Sequence, residues 1–143
     1  MSLTISPQEI EKIRAHGRRD YPQECCGVLL GKEENGRKLV AEARALTNAR
    51  NDSPRNRFLI TPQEWGASEK YARQQGLDIL GFYHSHPDHP AQPSEYDRQH
   101  AWPWLSYVIL AVEQGRPADL SSWVLAEDRS RFDAEKVEIP KEG

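Results

Sequence analysis

The chain is 143 residues long with a formal net charge of −3, long enough for one domain with a buried core and close to neutral for its size. No basic block stands out, so composition gives no argument for nucleic acid or an anionic membrane surface as a partner. The longest strongly apolar run, Tyr107 to Val112, is far too short to span a bilayer. The opening MSLTISPQEI has no basic region followed by an apolar one, so a cytoplasmic location is expected.

In chain order, Ser6-Pro7-Gln8-Glu9 signals a helix start, with Ser6 as N-cap, Pro7 at the first position and Glu9 completing a capping box. This helix is predicted to reach about Asp20, with Ile10, Ile13 and Gly17 facing inward, and Tyr21-Pro22 ends it. Cys26 to Gly31 predicts a strand buried on both faces. Glu33-Glu34-Asn35-Gly36 predicts a hairpin into a second strand, Lys38 to Leu46. Thr47 to Arg57 is polar and turn-rich and reads as a surface loop. Its Arg50, Arg55 and Arg57 are solvated charges or contacts for an acidic substrate.

Phe58 to Ile60 reads as a short strand, and Thr61-Pro62-Gln63-Glu64 repeats the capping signature to open a helix to about Gln75, stopped by Gly76. Asp78 to His86 is the next strand, and Ser94 begins a short helix. Ser106 to Glu113, Leu120 to Ala126 and Arg131 to Ile139 are closing strands. No internal repeat or second domain is visible, so residues 1–143 are expected to form one mixed α/β sandwich built on one sheet.

The only cysteines, Cys25 and Cys26, are adjacent. Consecutive Cα atoms lie about 3.8 Å apart, below the roughly 4.4 Å that a disulfide needs, so no bridge joins them. They are expected to be small apolar residues of a buried strand.

The run His84-Ser85-His86-Pro87-Asp88-His89-Pro90-Ala91-Gln92-Pro93-Ser94-Glu95-Tyr96-Asp97 is the most informative stretch. At the end of a strand, alternation puts the imidazoles of His84 and His86 on one face. Three prolines stiffen the loop that follows, and Ser94 as N-cap places Asp97 in the first helical turn. Two neutral imidazoles and one carboxylate suit zinc, and three protein ligands leave a fourth position for water, as in a catalytic site. Such a site also needs a proton acceptor nearby, which spacing alone does not select among the acidic residues.

Each residue also has a plainer use. Asp97 gains from the helix dipole without any metal. Ser94 is an N-cap, and one hydroxyl is not expected to serve both the cap and a substrate. Asp88 and His89 are competing ligands in the loop, while His16 and His100 read as surface or packing residues. Trp102, Pro103 and Trp104 are expected to pack beneath the sheet, with an apolar lip for an extended substrate as the other use.

His84-x-His86, ten residues, then Asp97, with Ser94 three before it, resembles the JAMM motif of the MPN+ metalloproteases. That family places a glutamate ahead of a Cys-Gly-apolar strand, which Pro22-Gln23-Glu24-Cys25-Cys26-Gly27-Val28-Leu29-Leu30-Gly31 matches. The resemblance implies a single-domain MPN (cytidine-deaminase-like) fold, a mixed sheet flanked by helices. It implies one Zn²⁺ per chain held by His84, His86 and Asp97, Glu24 as general acid/base, and Ser94 as hydrogen-bond donor to the oxyanion. The compact form is similar to bacterial peptidases of ubiquitin-like or sulfur-carrier proteins, which cut after a Gly-Gly end. That implies a carrier-protein substrate whose tail adds as a strand to an exposed sheet edge. A non-catalytic interaction module and a zinc hydrolase of small amides are the alternatives. A deaminase is disfavoured because the Pro-Cys-x-x-Cys ligand signature is missing.

Overall fold

A computed structural model describes residues 2–46 and 61–140. The expected loop from Thr47 to Arg57, with Arg50, Arg55 and Arg57, and the expected strand from Phe58 to Ile60 lie outside the described residues. The elements run β1 (Ser2–Thr4), α1 (Pro7–Asp20), β2 (Cys26–Glu34), β3 (Arg37–Leu46), α2 (Pro62–Gln74), β4 (Asp78–Pro87), α3 (Glu95–His100), β5 (Ser106–Glu113), β6 (Arg116–Leu125) and β7 (Phe132–Glu138). No helix among them is long and apolar enough to cross a membrane.

The N-cap hydrogen bonds form as read from the sequence. Ser6 Oγ accepts from Glu9 N–H, and Thr61 Oγ1 accepts from Glu64 N–H. Glu9, however, does not close a capping box. Its Oε1 accepts from the Ala43 N–H of β3 at 2.8 Å, so the first turn of α1 is tied to the sheet rather than to its own cap. Asn35 and Gly36 both have positive φ, 53° and 79°, as a two-residue hairpin turn requires. Gln114 and Gly115 make the same turn between β5 and β6, at 49° and 83°. That hairpin starts β6 at Arg116, four residues before the expected Leu120, because Pro117 still pairs with Val112.

The sheet is mixed, as expected, but closed rather than an open layer flanked by helices. The strands follow the order β1-β3-β2-β4-β5-β6-β7, and β7 pairs back onto β1. Closure passes through β1, which runs parallel to both neighbours and pairs through only three residues. Along β3 it reaches only Arg37 to Leu39. Beyond Leu39 no described strand pairs with this edge of β3, so closure leaves part of a sheet edge open. On that side of β3 the carboxylate of Glu9 occupies the Ala43 N–H.

The two sheet faces bury different helices. Leu29, Tyr83, Val108 and Leu110 pack with Ile10 and Ile13 of α1. The opposite face carries Val28, Phe82 and Tyr107, with Ala72 of α2, Trp65 and Ala101 packed on it. Strand alternation places His84 and His86 on the Phe82 face, where α2 and α3 lie. Ile109 and Ala111 of β5, the parallel partners of His84 and His86, complete this face beneath the motif loop.

Trp102 and Trp104 do not pack beneath the sheet: they are 58% and 69% exposed. Ala101 and Leu105 on either side of them take the apolar positions instead. Trp104 has a φ of 73°, and its carbonyl accepts from the buried Lys38 ammonium at 2.6 Å. Lys38 also donates to Ser106 Oγ, which donates to Glu135. The tryptophans are turned outward by the backbone they sit on, and with Pro62, Trp65 and Leu105 they line an apolar groove.

Candidate metal centre

Three of the motif side chains converge. His84 Nε2 and His86 Nε2 lie 3.1 Å apart. Asp97 spans them, with Oδ1 3.3 Å from His84 Nε2 and Oδ2 3.3 Å from His86 Nε2. Donor atoms on a tetrahedral ion with bonds of about 2.0–2.1 Å are separated by about 3.3–3.4 Å. The two imidazole–carboxylate contacts match such a separation and the imidazole pair is slightly closer, with Asp97 meeting each ring through a different oxygen.

The donor chemistry supports the same fit. His86 Nδ1 faces the Pro90 carbonyl at 2.9 Å, so this nitrogen carries the proton. The opposite ring nitrogen, Nε2, is then the atom turned toward His84 and Asp97, which is the donor a metal would use. Burial pulls the His84 pKa below its ordinary value, against the Asp97 carboxylate beside it, and so keeps the ring neutral and able to donate a lone pair. Burial opposes the charge on Asp97. The histidines and the Ser94 N–H outweigh it and hold the carboxyl well below the usual range.

Each element contributes for a local reason. β4 supplies the histidines at its buried end, and the proline-rich loop returns the chain across the same face. Ala91 anchors that loop against Ile109 and Ala111. Its carbonyl accepts from Ser121 Oγ and from Trp123 Nε1. Ser94 then caps α3 reciprocally: its Oγ accepts from Asp97 N–H at 3.0 Å, and its own N–H donates to Asp97 Oδ2 at 2.8 Å. The cap therefore orients the carboxylate toward the histidines. Because Ser94 Oγ acts as acceptor in the cap, its own proton stays available for a second partner. The two uses of this hydroxyl that were expected to compete are compatible.

Glu24 joins the same cluster. It is 3% exposed, and one of its carboxylate oxygens together with a donor nitrogen of His84 and of His86 all lie within 4.8 Å of one another. Glu24, His86, His89, Gln92 and Ser94 line a cleft of about 530 Å³ with Pro87, Pro90 and Pro93. All five residues singled out from the sequence thus meet in one place.

The competing residues do not join the donor set. Asp88 accepts from Tyr21 Oη at 2.6 Å and from Gln114 N–H at 2.7 Å. His89 lines the cleft wall. His16 is buried against Tyr83, and His100 stacks on Tyr96. Cys25 and Cys26 are free and buried, as expected. Burial pushes the Cys25 thiol up to about 11, so neither acts as a thiolate ligand near neutral pH.

One residue of the site was not assigned from the sequence. Ser85 is fully buried, and its Oγ accepts from the Cys25 N–H. The available signal was the alternation of β4, which sends Ser85 to the face opposite the histidines.

A small mixed α/β barrel with two histidines, an aspartate and a buried glutamate around one cleft defines the class: a domain with a candidate catalytic metal site. Residues 6–126 match the family model for prokaryotic homologs of the JAB domain. A desampylase of Haloferax volcanii is 33% identical over 116 residues, covering 78% of this chain and 81% of that protein. A CysO-cysteine peptidase of Mycobacterium tuberculosis is 33% identical over 125 residues, covering 85% and 81%. The solution structure of a Desulfitobacterium hafniense protein superposes with a TM-score of 0.85 at 32% identity, covering 98% of this chain and 94% of that one. The chain belongs to the prokaryotic JAB, or JAMM/MPN, family.

Proposed function

We propose that this chain is a zinc-dependent peptidase or isopeptidase that hydrolyses the bond after the C-terminal Gly-Gly of a ubiquitin-like or sulfur-carrier protein. The observation that carries the reading is the convergence of His84, His86 and Asp97 within 3.1–3.3 Å of one another beside a buried glutamate. Two relatives named for cleaving small-protein conjugates or a carrier–amino-acid bond support the substrate class. On this reading residues 1–143 form one JAMM/MPN+ domain of cytidine-deaminase-like fold.

His84, His86 and Asp97 would hold one zinc per chain. Bound there, zinc supplies a Lewis acid and makes water nucleophilic near neutral pH. Glu24 takes a proton from the attacking water and hands it to the leaving amine, which its burial and its place at the cleft suit it to do. Ser94, with its Oγ already accepting from Asp97 N–H, keeps its proton for the developing oxyanion. His86 is fixed in one tautomer by the Pro90 carbonyl, so its donor atom is set before zinc arrives.

The test uses the zinc-loaded protein and its Glu24→Gln variant, each incubated with a Gly-Gly-ending carrier bearing a C-terminal extension and read by mass. Loss of the extension with the wild type alone supports the peptidase. An intact carrier alongside cleaved small amides would replace it with the small-amide hydrolase. An intact carrier and intact amides, with zinc bound, would leave the interaction module.

A further inference from the structure

Ser85 lies between the two histidines but points away from them, into the packed side of β4 that faces α1. A Cβ placed on Gly17 of α1 would sit 3.9 Å from Ser85 Cβ. The serine is fully buried, and both of its bonds go to one residue sixty positions upstream. Ser85 Oγ accepts from Cys25 N–H at 2.9 Å, and Ser85 N–H donates to the Cys25 carbonyl at 3.1 Å.

Cys25 is the residue directly after Glu24. The ladder between β2 and β4 reaches Cys26 opposite His84, and Cys25 lies beyond it. A strand end one step past its ladder would ordinarily fray, because the next N–H has no partner across the sheet. The hydroxyl of Ser85 supplies that partner. On the other flank, Tyr21 Oη donates to Asp88 Oδ2, two residues after His86. The segment carrying Glu24 is thus tied to the histidine strand on both sides, and the buried tie is the one adjacent to Glu24.

We infer that Ser85 is a positioning residue: its hydroxyl holds the backbone beside Glu24 and so sets where the Glu24 carboxylate stands relative to His84, His86 and Asp97. The inference rests on the reading of Glu24 as general acid/base. It assigns Ser85 no contact with substrate and no part in holding the metal. The side chain on the opposite face of β4 serves the cleft through the backbone of the neighbouring segment.

The test compares Ser85→Ala and Glu24→Gln with the wild type, using the same extended carrier. A displacement of a reacting group by about 1 Å can cost on the order of 100-fold. Ser85→Ala is therefore expected to lower kcat by about 10- to 100-fold, with KM within about twofold, because substrate contacts are untouched. Zinc content should stay at about one per chain. Amide hydrogen exchange at Cys25 should rise, and Ser85→Thr, which keeps the acceptor, should restore kcat. Wild-type kcat in Ser85→Ala, with Glu24→Gln inactive, would overturn the positioning role and leave the acid/base reading standing. Loss of zinc from Ser85→Ala would overturn it too, since the hydroxyl would then act on the ligand cluster. Full cleavage by Glu24→Gln would remove the reading of Glu24 and this inference with it.

Discussion

His16 Nδ1 lies 2.7 Å from Tyr83 Oη, joining α1 to β4 one residue before His84. The other ring nitrogen of His16 is 3.2 Å from Asp20 Oδ2, and the imidazole is buried. Burial lowers the His16 pKa below its ordinary 6.5; Asp20 opposes this and Arg19 adds to it. The unfolded chain then takes up the proton first, so the contribution of His16 is fully present above about pH 6.5 and is lost as pH falls toward the folded value. Urea unfolding midpoints measured from pH 7.5 down to 5.5 should decrease, with a shallower slope for His16→Gln. Equal slopes would show that His16 does not carry the effect.

Gly81 marks the closest approach of β4 and β5. A Cβ at this position would lie 1.9 Å from the Ser106 carbonyl oxygen, a backbone atom that side-chain rotation cannot move. The two strands are parallel here, with Gly81 opposite Ser106. Overpacking typically costs about 1–3 kcal/mol, and a backbone clash belongs at or above the top of that range. Gly81→Ala should destabilise by about 3 kcal/mol or more in chemical denaturation. The substitution Gly66→Ala, whose Cβ would meet nothing within 4 Å, serves as the control and should not destabilise.

The cap that Ser94 makes and the oxyanion role proposed for it are separable. As the cap of α3 it is worth about 1 kcal/mol, and as an oxyanion donor it would be worth about 100- to 1,000-fold in kcat. Ser94→Ala should lose both. Ser94→Asp keeps an acceptor for the Asp97 N–H but has no proton to donate, so it should retain most of the stability and remain slow. If Ser94→Asp turns over like the wild type, the hydroxyl proton has no part in the reaction.

Much of this was legible from the chain because the signals were local. The starts of α1, α2 and α3 each showed a capping oxygen followed by an N–H three residues on, and all three caps form. The Asn35-Gly36 turn and the buried run from Cys26 carried their own backbone chemistry. The histidine pair was legible because strand alternation is a fixed geometric rule. What escaped was non-local. Closure of the sheet depends on Ser2–Thr4, too few residues to show any period, docking between β3 and β7. The outward turn of Trp104 depends on Lys38, sixty-six positions away, donating to its carbonyl. The role of Glu9 was obscured because its usual cap partner and the Ala43 N–H compete for one carboxylate, and the tertiary partner wins.

On the proposed function, His84, His86 and Asp97 together hold one zinc and Glu24 stays outside the ligand set. Metal content per chain, measured by mass spectrometry after zinc loading and exhaustive dialysis, tests this directly. About one zinc is expected in the wild type and in Glu24→Gln, and little in His84→Ala, His86→Ala or Asp97→Asn. A wild type that retains no zinc, or a Glu24→Gln variant that loses it while Asp97→Asn keeps it, would show this ligand set to be wrong.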